Sequence, residues 1–179
     1  IFKNYMDANP LKSIKLRTFL TSTKYKDKVE RIRSIQNKKE RNRLKAQLPA
    51  VTPSGLFVTK RVAANLVEHS GLIQLDIDGK DNEHLDMQEV KEVLMELSIV
   101  AYCGFSVSGA GVFALVPIAQ PNRHKEHFLA LEEDLKNDHN IVIDSSCKDV
   151  TRLRGYSYDE DCYVNENALV YEGLIEPKQ

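Results

Sequence analysis

The sequence lacks long apolar runs and has few cysteines. No apolar stretch approaches the roughly 20 residues that a transmembrane helix needs, and no basic segment followed by an apolar one marks a secretory signal. Cys103, Cys147 and Cys162 are odd in number and form no C-x-x-C pair, so neither a disulfide framework nor a zinc knuckle is indicated. We therefore expect no membrane partner and a reducing, cytoplasmic location.

Internal repeats and low-complexity segments are also absent. The chain has 179 residues, of which 42% are hydrophobic, and this is enough for one compact domain with an ordinary core. It begins at Ile1 rather than at a methionine, which suggests a fragment or a processed form.

The formal net charge of −1 conceals a strong asymmetry along the chain. Residues 1–70 hold 16 Lys and Arg against 5 Asp and Glu, whereas residues 71–179 hold 9 against 21. A basic segment joined to an acidic body can attract a polyanion to a site that handles phosphate. The simpler alternative is a solvated helix face. Under the first interpretation, nucleic acid is bound by Lys38, Lys39, Arg41 and Arg43.

Hydrophobic spacing predicts a helical basic arm, residues 1–48, packed on a core formed by residues 49–179. A short helix is expected from about Pro10 to Leu20, and a longer basic helix begins after Thr23 as N-cap and ends before Pro49. Residues 48–55 contain two prolines and a glycine, which predicts a loop or an edge strand between arm and core.

The core is predicted to alternate strands and helices. Strands are expected at residues 72–77, 99–107, 112–118 and 141–143, with a glycine-rich hairpin turn between the second and the third. Helices are expected from Asp86 and over residues 122–137, and the tail from Arg152 to Tyr171 should add one or two strands and turns. This order predicts an α+β fold with a largely antiparallel sheet and flanking helices.

Two carboxylates stand two residues apart at the end of the first core strand. Asp76 and Asp78 share one face of that strand, and two acids so close together normally persist where a cation neutralises them. Asp144 ends a second apolar run. If the two strands are neighbours, three carboxylates converge and can hold one or two Mg²⁺ or Mn²⁺ ions for nucleotidyl transfer. Each aspartate alone also fits an ordinary turn.

A second candidate is the Ser-Gly-rich segment between the two hairpin strands. Two hydroxyls and two glycines can bring backbone N–H groups close to a phosphate, although composition favours an ordinary hairpin turn. These residues are Ser106, Ser108, Gly109 and Gly111.

Arg152 and Arg154 form a third candidate, because arginine is suited to bidentate contact with phosphate. The alternative is a pair of surface arginines bonded to nearby acids such as Asp149 and Asp159. The histidines are less informative. No cysteine or acid stands at a zinc-ligand spacing from His124 and His127, so both are interpreted as solvated, and the others as loop or helix-end residues: His69, His84 and His139.

Three blocks in order resemble the catalytic signature of the archaeo-eukaryotic primase and primase-polymerase superfamily, namely LIQLDIDG, FSVSGAGVFALV and VIDSSCKDVTRLRGYSYD. More closely, LPAVTPSGLF, HSGLIQLDIDG and TRLRGYSYDED resemble the bacterial VirE amino-terminal domain. In that family the domain often precedes a primase carboxy-terminal or helicase-type domain in proteins of plasmids, phages and mobile elements. The resemblance runs from about Ile1 to Asn165.

The resemblance implies an RRM-like antiparallel sheet of the primase-polymerase type, with nucleotide and single-stranded DNA or RNA as ligands. It implies Asp76, Asp78 and Asp144 as catalytic, Mg²⁺- or Mn²⁺-binding residues. It further implies a phosphate loop at Ser108, Gly109 and Gly111 and a phosphate contact from Arg152 or Arg154. The position of the family's motif histidine, counted from Ser108, is occupied by Phe113. A phenyl ring neither donates a hydrogen bond nor carries charge, so nucleotide binding is expected to be weakened or activity lost.

Three functions therefore stay open. The first is a primase-polymerase-like enzyme, and the second is a catalytically degenerate module that recruits nucleic acid or a helicase partner through the basic arm. The third is a haloacid-dehalogenase-like phosphatase, since the hhhDxDG pattern also resembles that family's nucleophile motif. It ranks last because Lys80 replaces the usual threonine and no later GDxxxD-like block follows.

Overall fold

A computed structural model describes residues 1–177 of the chain. Helices are formed by Leu16–Leu20 (α1), Lys26–Ser34 (α2), Lys38–Lys45 (α3), Met87–Glu96 (α4) and His124–His139 (α5). Strands are formed by Ala50–Val51 (β1), Gly55–Phe57 (β2), Leu66–His69 (β3), Leu72–Asp78 (β4), Tyr102–Phe105 (β5), Gly111–Pro117 (β6), Arg154–Gly155 (β7) and Tyr163–Val164 (β8). Within residues 1–177, no helix is both long enough and apolar enough to cross a bilayer.

The main sheet has four antiparallel strands in the order β4-β6-β5-β8. Two smaller antiparallel pairs, β1 with β7 and β2 with β3, lie outside it. The predicted α+β class with an antiparallel sheet and flanking helices is thereby confirmed. In the register of β4 and β6, Asp76 lies opposite Phe113 and Asp78 lies opposite Gly111.

The two faces of the main sheet differ in what they bury. Alternation along β4 sends Ile73, Leu75 and Ile77 into the core cluster that α4 and α5 complete with Val90, Leu94, Phe128, Leu131 and Leu135. The opposite face carries Gln74, Asp76 and Asp78 from β4, and it also carries a small cluster packed by α1: Tyr102, Phe113 and Leu115 with Leu16 and Leu20. The acidic residues therefore lie on the face that α1 covers only in part.

The basic amino-terminal segment is not one long helix, as its spacing predicted. The helix breaks after Ser34, because Ile35 is extended and Asn37 starts a new helix by accepting a hydrogen bond from the Glu40 N–H at 3.0 Å. The first predicted helix is also shorter and begins only at Leu16. A second buried cluster joins this segment to the region of β7. In it, Val29 and Ile32 of α2 pack with Phe19, Leu48 and Tyr156.

The predicted hairpin of β5 and β6 is confirmed, as are α4 and α5. The predicted strand at residues 141–143 is wrong, since the segment has no regular structure. The buried Asn82 takes the place of a strand partner: its side chain accepts from Val142 N at 2.8 Å and donates to Val142 O at 2.8 Å. The backbone N–H of Asp144 then donates to Asp76 O at 2.8 Å. Asp144 reaches β4 despite the missing strand.

Candidate functional site

Asp76 is held from several directions on the open face of the main sheet. One carboxylate oxygen accepts from Gln74 Nε2 at 2.9 Å and from Cys147 Sγ at 3.4 Å. The other binds the guanidinium of Arg154. Both charged side chains of this pair are largely buried. The strand end therefore presents a carboxylate whose charge is already neutralised.

Asp144 lies beside Asp76 and shares a donor with it. Cys147 Sγ is 3.7 Å from Asp144 Oδ2, and the guanidinium of Arg152 lies 3.5 Å from the same oxygen. Burial acts to raise the pKa of Asp144, but hydrogen bonds from Ser146 and the charge of Arg152 hold that pKa below its usual value. Burial and the charge of Asp76 raise the pKa of the Cys147 thiol, which therefore stays protonated and donates.

Asp78 has a different partner from the other two aspartates. It is about half exposed, and Lys80 Nζ lies 3.4 Å from Asp78 Oδ2, which raises the pKa of that lysine. Among residues 1–177, no group of three His, Cys, Asp or Glu side chains lies close enough to hold a metal ion. The structure thus brings Asp76 and Asp144 together but leaves Asp78 apart. The carboxylate oxygens suit Mg²⁺ chemically, and in this conformation guanidinium groups provide their counter-charge.

Phe113 supports the arginine that binds Asp76. The guanidinium carbon of Arg154 lies 4.6 Å from the centre of the Phe113 ring, a cation–π contact. Arg152 contacts Asp144 and reaches within 4.0 Å of Asp76. The suggested alternative partners are engaged elsewhere, since Asp149 accepts from Thr151 N and Asp159 binds Lys91. Both arginines thus belong to the carboxylate site.

The Ser-Gly-rich segment forms a closed hairpin turn between β5 and β6. Gly109 has a φ of 73°, which favours glycine, and its N–H donates to Ser106 O at 2.9 Å. Gly111 has no room for a side chain, because a Cβ there would lie 2.7 Å from Ile77 O. The Ser106 and Ser108 hydroxyls lie 3.3 Å apart. A phosphate-binding role for this turn stays a prediction.

The basic side chains of helix α3 divide into an exposed group and a half-buried group on the side of the carboxylate site. Lys38, Lys39 and Arg43 are exposed, whereas Arg41 and Lys45, one helical turn apart, are half-buried. Burial lowers the pKa of Lys45, and the nearby charge of Arg41 lowers it further.

Lys45 opens onto a cleft of about 340 Å³ beside the carboxylates. Its charged lining consists of Lys45, Arg61, Asp76, Arg152 and Arg154. The sequence interpretation missed Lys45 and Arg61. The spacing of Lys45 from Arg41 on one helix is a usable signal, but nothing in the sequence near Arg61 distinguishes it.

Residues 43–164 match the family model described as BT4734-like, N-terminal domain. The matched span covers more than half of the chain and includes the three aspartates, the hairpin and both arginines. The chain belongs to this family. No curated protein and no solved structure matches this chain.

The histidines of the BT4734-like domain form structural contacts. His124 and His127 are buried, so the prediction that both are solvated is wrong. His127 is bonded to Gln120 N and Gly173 O, at 3.1 and 2.7 Å. His69 accepts from Gly71 N at Nδ1, so its Nε2 carries the proton that bonds His124 Nδ1 at 2.9 Å. Burial lowers the pKa of His69, and burial together with His69 lowers the pKa of His124 to about 4.

Proposed function

We propose that the BT4734-like domain is a primase-polymerase-like module that binds the phosphates of nucleotides and of single-stranded nucleic acid in the replication of a mobile or phage-like element. One observation carries the proposal. Two adjacent carboxylates, Asp76 and Asp144, are interleaved with Arg152 and Arg154 at the edge of a cleft in which cationic side chains outnumber the acid. Such a cleft attracts phosphate oxygens.

The order of elements supports an RRM-like core. The chain runs through β4, α4, β5, β6 and α5, and β6 lies between β4 and β5 in the sheet. Residues 141–144 then return along the free edge of β4, where Asp144 N bonds Asp76 O. A strand-helix-strand-strand-helix-strand arrangement of this kind is the split βαβ pattern. Residues 141–144 take the position of the last strand without adopting its regular structure.

Phe113 fits this proposal through Arg154. The phenyl ring lacks the donor that a histidine offers at this motif position. Its face instead supports the Arg154 guanidinium, whose Nε is buried without a hydrogen-bond partner. Arg154 therefore brings N–H donors and a permanent positive charge to the same part of the site. We infer that nucleotide phosphates are bound by arginine here rather than by the motif histidine.

Fluorescence anisotropy with labelled single-stranded DNA and RNA, with a nucleoside triphosphate as competitor, tests the proposed binding function. The double variant Asp76→Asn/Arg154→Gln removes one charge of each sign, which avoids leaving an unpaired buried charge. Its expected affinity for the triphosphate is at least about 10-fold lower than that of the native domain, since a charge-assisted phosphate contact is lost.

The matched control is Asp27→Asn/Arg31→Gln, which removes the same two charges from the exposed side of α2. The control should bind as the native domain does. Equal affinity of the site variant and the control would contradict the proposal, as would the failure of the native domain to bind any of the three probes.

Nucleotidyl transfer is the second candidate function, and the adjacency of Asp76 and Asp144 favours it. A bound Mg²⁺ or Mn²⁺ would be held by these two carboxylates and would activate a 3′-hydroxyl and neutralise the leaving pyrophosphate. The test combines labelled nucleotide, a single-stranded template and Mn²⁺. Product from the native domain that disappears in Asp76→Asn/Asp144→Asn supports an enzyme. Absence of product from the native domain leaves the binding module.

A further inference from the structure

The cleft beside Asp76 is built from both halves of the chain. Lys45 comes from the end of α3, and Arg61 comes from the segment between β2 and β3. Arg152 comes from the segment that leads into β7, and Arg154 is the first residue of β7. Neither Lys45 nor Arg61 belongs to the sequence blocks that resemble primase-polymerases. The amino-terminal half therefore adds two cations to a site whose other charges lie far along the chain.

Three arginines of the cleft have buried donors that no described residue accepts. Within residues 1–177, the Nε atoms of Arg61, Arg152 and Arg154 have no hydrogen-bond partner. Arg61 is not free to turn away, because its guanidinium donates to Thr151 O at 2.8 Å and lies over the Phe2 ring. Buried polar groups in folded proteins are nearly always bonded, and an unpartnered one is costly. These Nε atoms are themselves buried, so a ligand in the cleft would meet the terminal guanidinium nitrogens of the same arginines.

The net positive charge of the cleft favours an anion with more than one negative charge. Four cationic side chains face a single carboxylate there, that of Asp76. Burial lowers the pKa of Lys45, and the charges of Arg41 and Arg154 lower it further. Guanidinium groups match the geometry of phosphate oxygens, and a volume of about 340 Å³ accommodates a short phosphate chain.

We propose that Lys45 and Arg61 complete, together with Arg152 and Arg154, a binding site for a phosphate chain that carries at least two negative charges. The inference rests on the proposed function and names the part of the ligand that the cleft holds. A free nucleoside triphosphate and the 5′-triphosphate end of a nucleic-acid strand present the same chemistry, and the experiment separates them.

Isothermal titration calorimetry with inorganic triphosphate, a nucleoside triphosphate and a nucleoside tests the site. The variants are Lys45→Gln and Arg61→Gln, and the control is Lys60→Gln, an exposed neighbour of Arg61 outside the cleft. Each cleft variant should bind both triphosphates at least about 10-fold more weakly than the native domain, whereas the control binds normally. The nucleoside should bind measurably neither to the native domain nor to any of the variants. Arg61→Lys, which keeps the charge but loses the planar fork, should lie between Arg61→Gln and the native domain.

An oligonucleotide with a 5′-triphosphate, compared with the same strand bearing a 5′-hydroxyl, identifies the source. Tighter binding of the triphosphorylated strand than of free nucleotide assigns a strand end, and the reverse assigns free nucleotide. Native-like affinity of both cleft variants, with Asp76→Asn/Arg154→Gln still impaired, overturns this inference and leaves the proposed function intact. Failure of the folded native domain to bind any phosphate probe overturns both. Thermal melting curves confirm that each variant is folded.

Discussion

Phe113 lies opposite Asp76 in the main sheet, and its ring supports the guanidinium that binds Asp76. Phe113 thus provides an apolar surface beside Asp76, and Arg154 provides the positive charge at the same place. The sequence could indicate that Asp76 needs a cation, because two acids lie close together on one strand face. It could not indicate that this cation is an arginine of the same chain, since the pairing joins segments distant in sequence.

Loss of Arg154 should destabilise the domain. Arg154→Gln leaves Asp76 as a largely buried carboxylate without its main ion-pair partner. Removal of one member of a buried ion pair typically lowers the free energy of unfolding by about 3 kcal/mol. Urea unfolding followed by circular dichroism measures the change. Asp76→Asn/Arg154→Gln should recover much of the lost stability. A single variant that unfolds at the same urea concentration as the native domain would show that the pair is unimportant for the fold.

The His69–His124 pair should make the domain sensitive to acid. The pKa of His124 is lowered from 6.5 to about 4 in the folded state. Between about pH 6.5 and pH 4, His124 is therefore protonated in the unfolded chain but neutral in the folded domain. The free energy of unfolding should therefore fall as the pH drops from 7 toward 4, by at most about 3 kcal/mol from this group. Urea midpoints at several pH values give this slope.

His124→Gln should flatten that slope, whereas His84→Gln, which changes an exposed histidine, should leave it unaltered. An unaltered slope in His124→Gln would assign the acid sensitivity to other groups.

At the scale of elements, the Asn82 side chain provides the backbone hydrogen bonds that a neighbouring strand was expected to provide. The run Ile141-Val142-Ile143 has the composition of a strand, but the Asn82 side chain takes both backbone groups of Val142 and also donates to Asp78 O at 3.0 Å. Hydrophobic periodicity describes the segment itself and not the distant side chain that holds it. The same limit applies to the basic arm, where Asn37 starts α3 and divides a helix that spacing alone joins.

Asn82→Ala should loosen the segment that carries Asp144. Three hydrogen bonds are lost and the partly buried backbone groups of Val142 lose their partner, which should lower the free energy of unfolding by about 2 to 4 kcal/mol. Native-state hydrogen exchange should show faster exchange at the amides of Val142 and Asp144. Asn122→Ala, at an exposed asparagine, serves as the control. Unchanged exchange at both amides would mean that Asn82 does not hold this segment.

At the scale of the whole molecule, the basic and acidic parts of the sequence lie side by side. The basic amino-terminal half packs beside the acidic sheet face and contributes Lys45 and Arg61 to its cleft. The sequence indicated the asymmetry, the fold class and the order of the core elements from β4 to α5, because each depends on local composition and spacing. The cleft depends on contacts between segments far apart in the chain, so its complete set of residues required the structure.

The charges of α3, three of them exposed and that of Arg41 half-buried, should contribute to the salt dependence of nucleic-acid binding. Neutralising Lys38, Lys39, Arg41 and Arg43 together with glutamine should reduce the slope of log K against log salt for single-stranded DNA by about 2 to 3, at roughly 0.7 for each lost phosphate contact. Four exposed lysines elsewhere, Lys24, Lys125, Lys136 and Lys148, provide the matched control. Anisotropy titrations at several salt concentrations give the slope. Equal slopes for both quadruple variants would restrict binding to the cleft.

The cleft is expected to bind phosphate through the guanidinium groups of its arginines. Nuclear magnetic resonance of the ¹⁵N-labelled domain observes these groups directly, as the Nε–H signals of Arg61, Arg152 and Arg154. Addition of a nucleoside triphosphate should shift all three signals in a saturable way, and the corresponding nucleoside should leave them in place. Signals that stay unchanged at millimolar triphosphate would contradict the account.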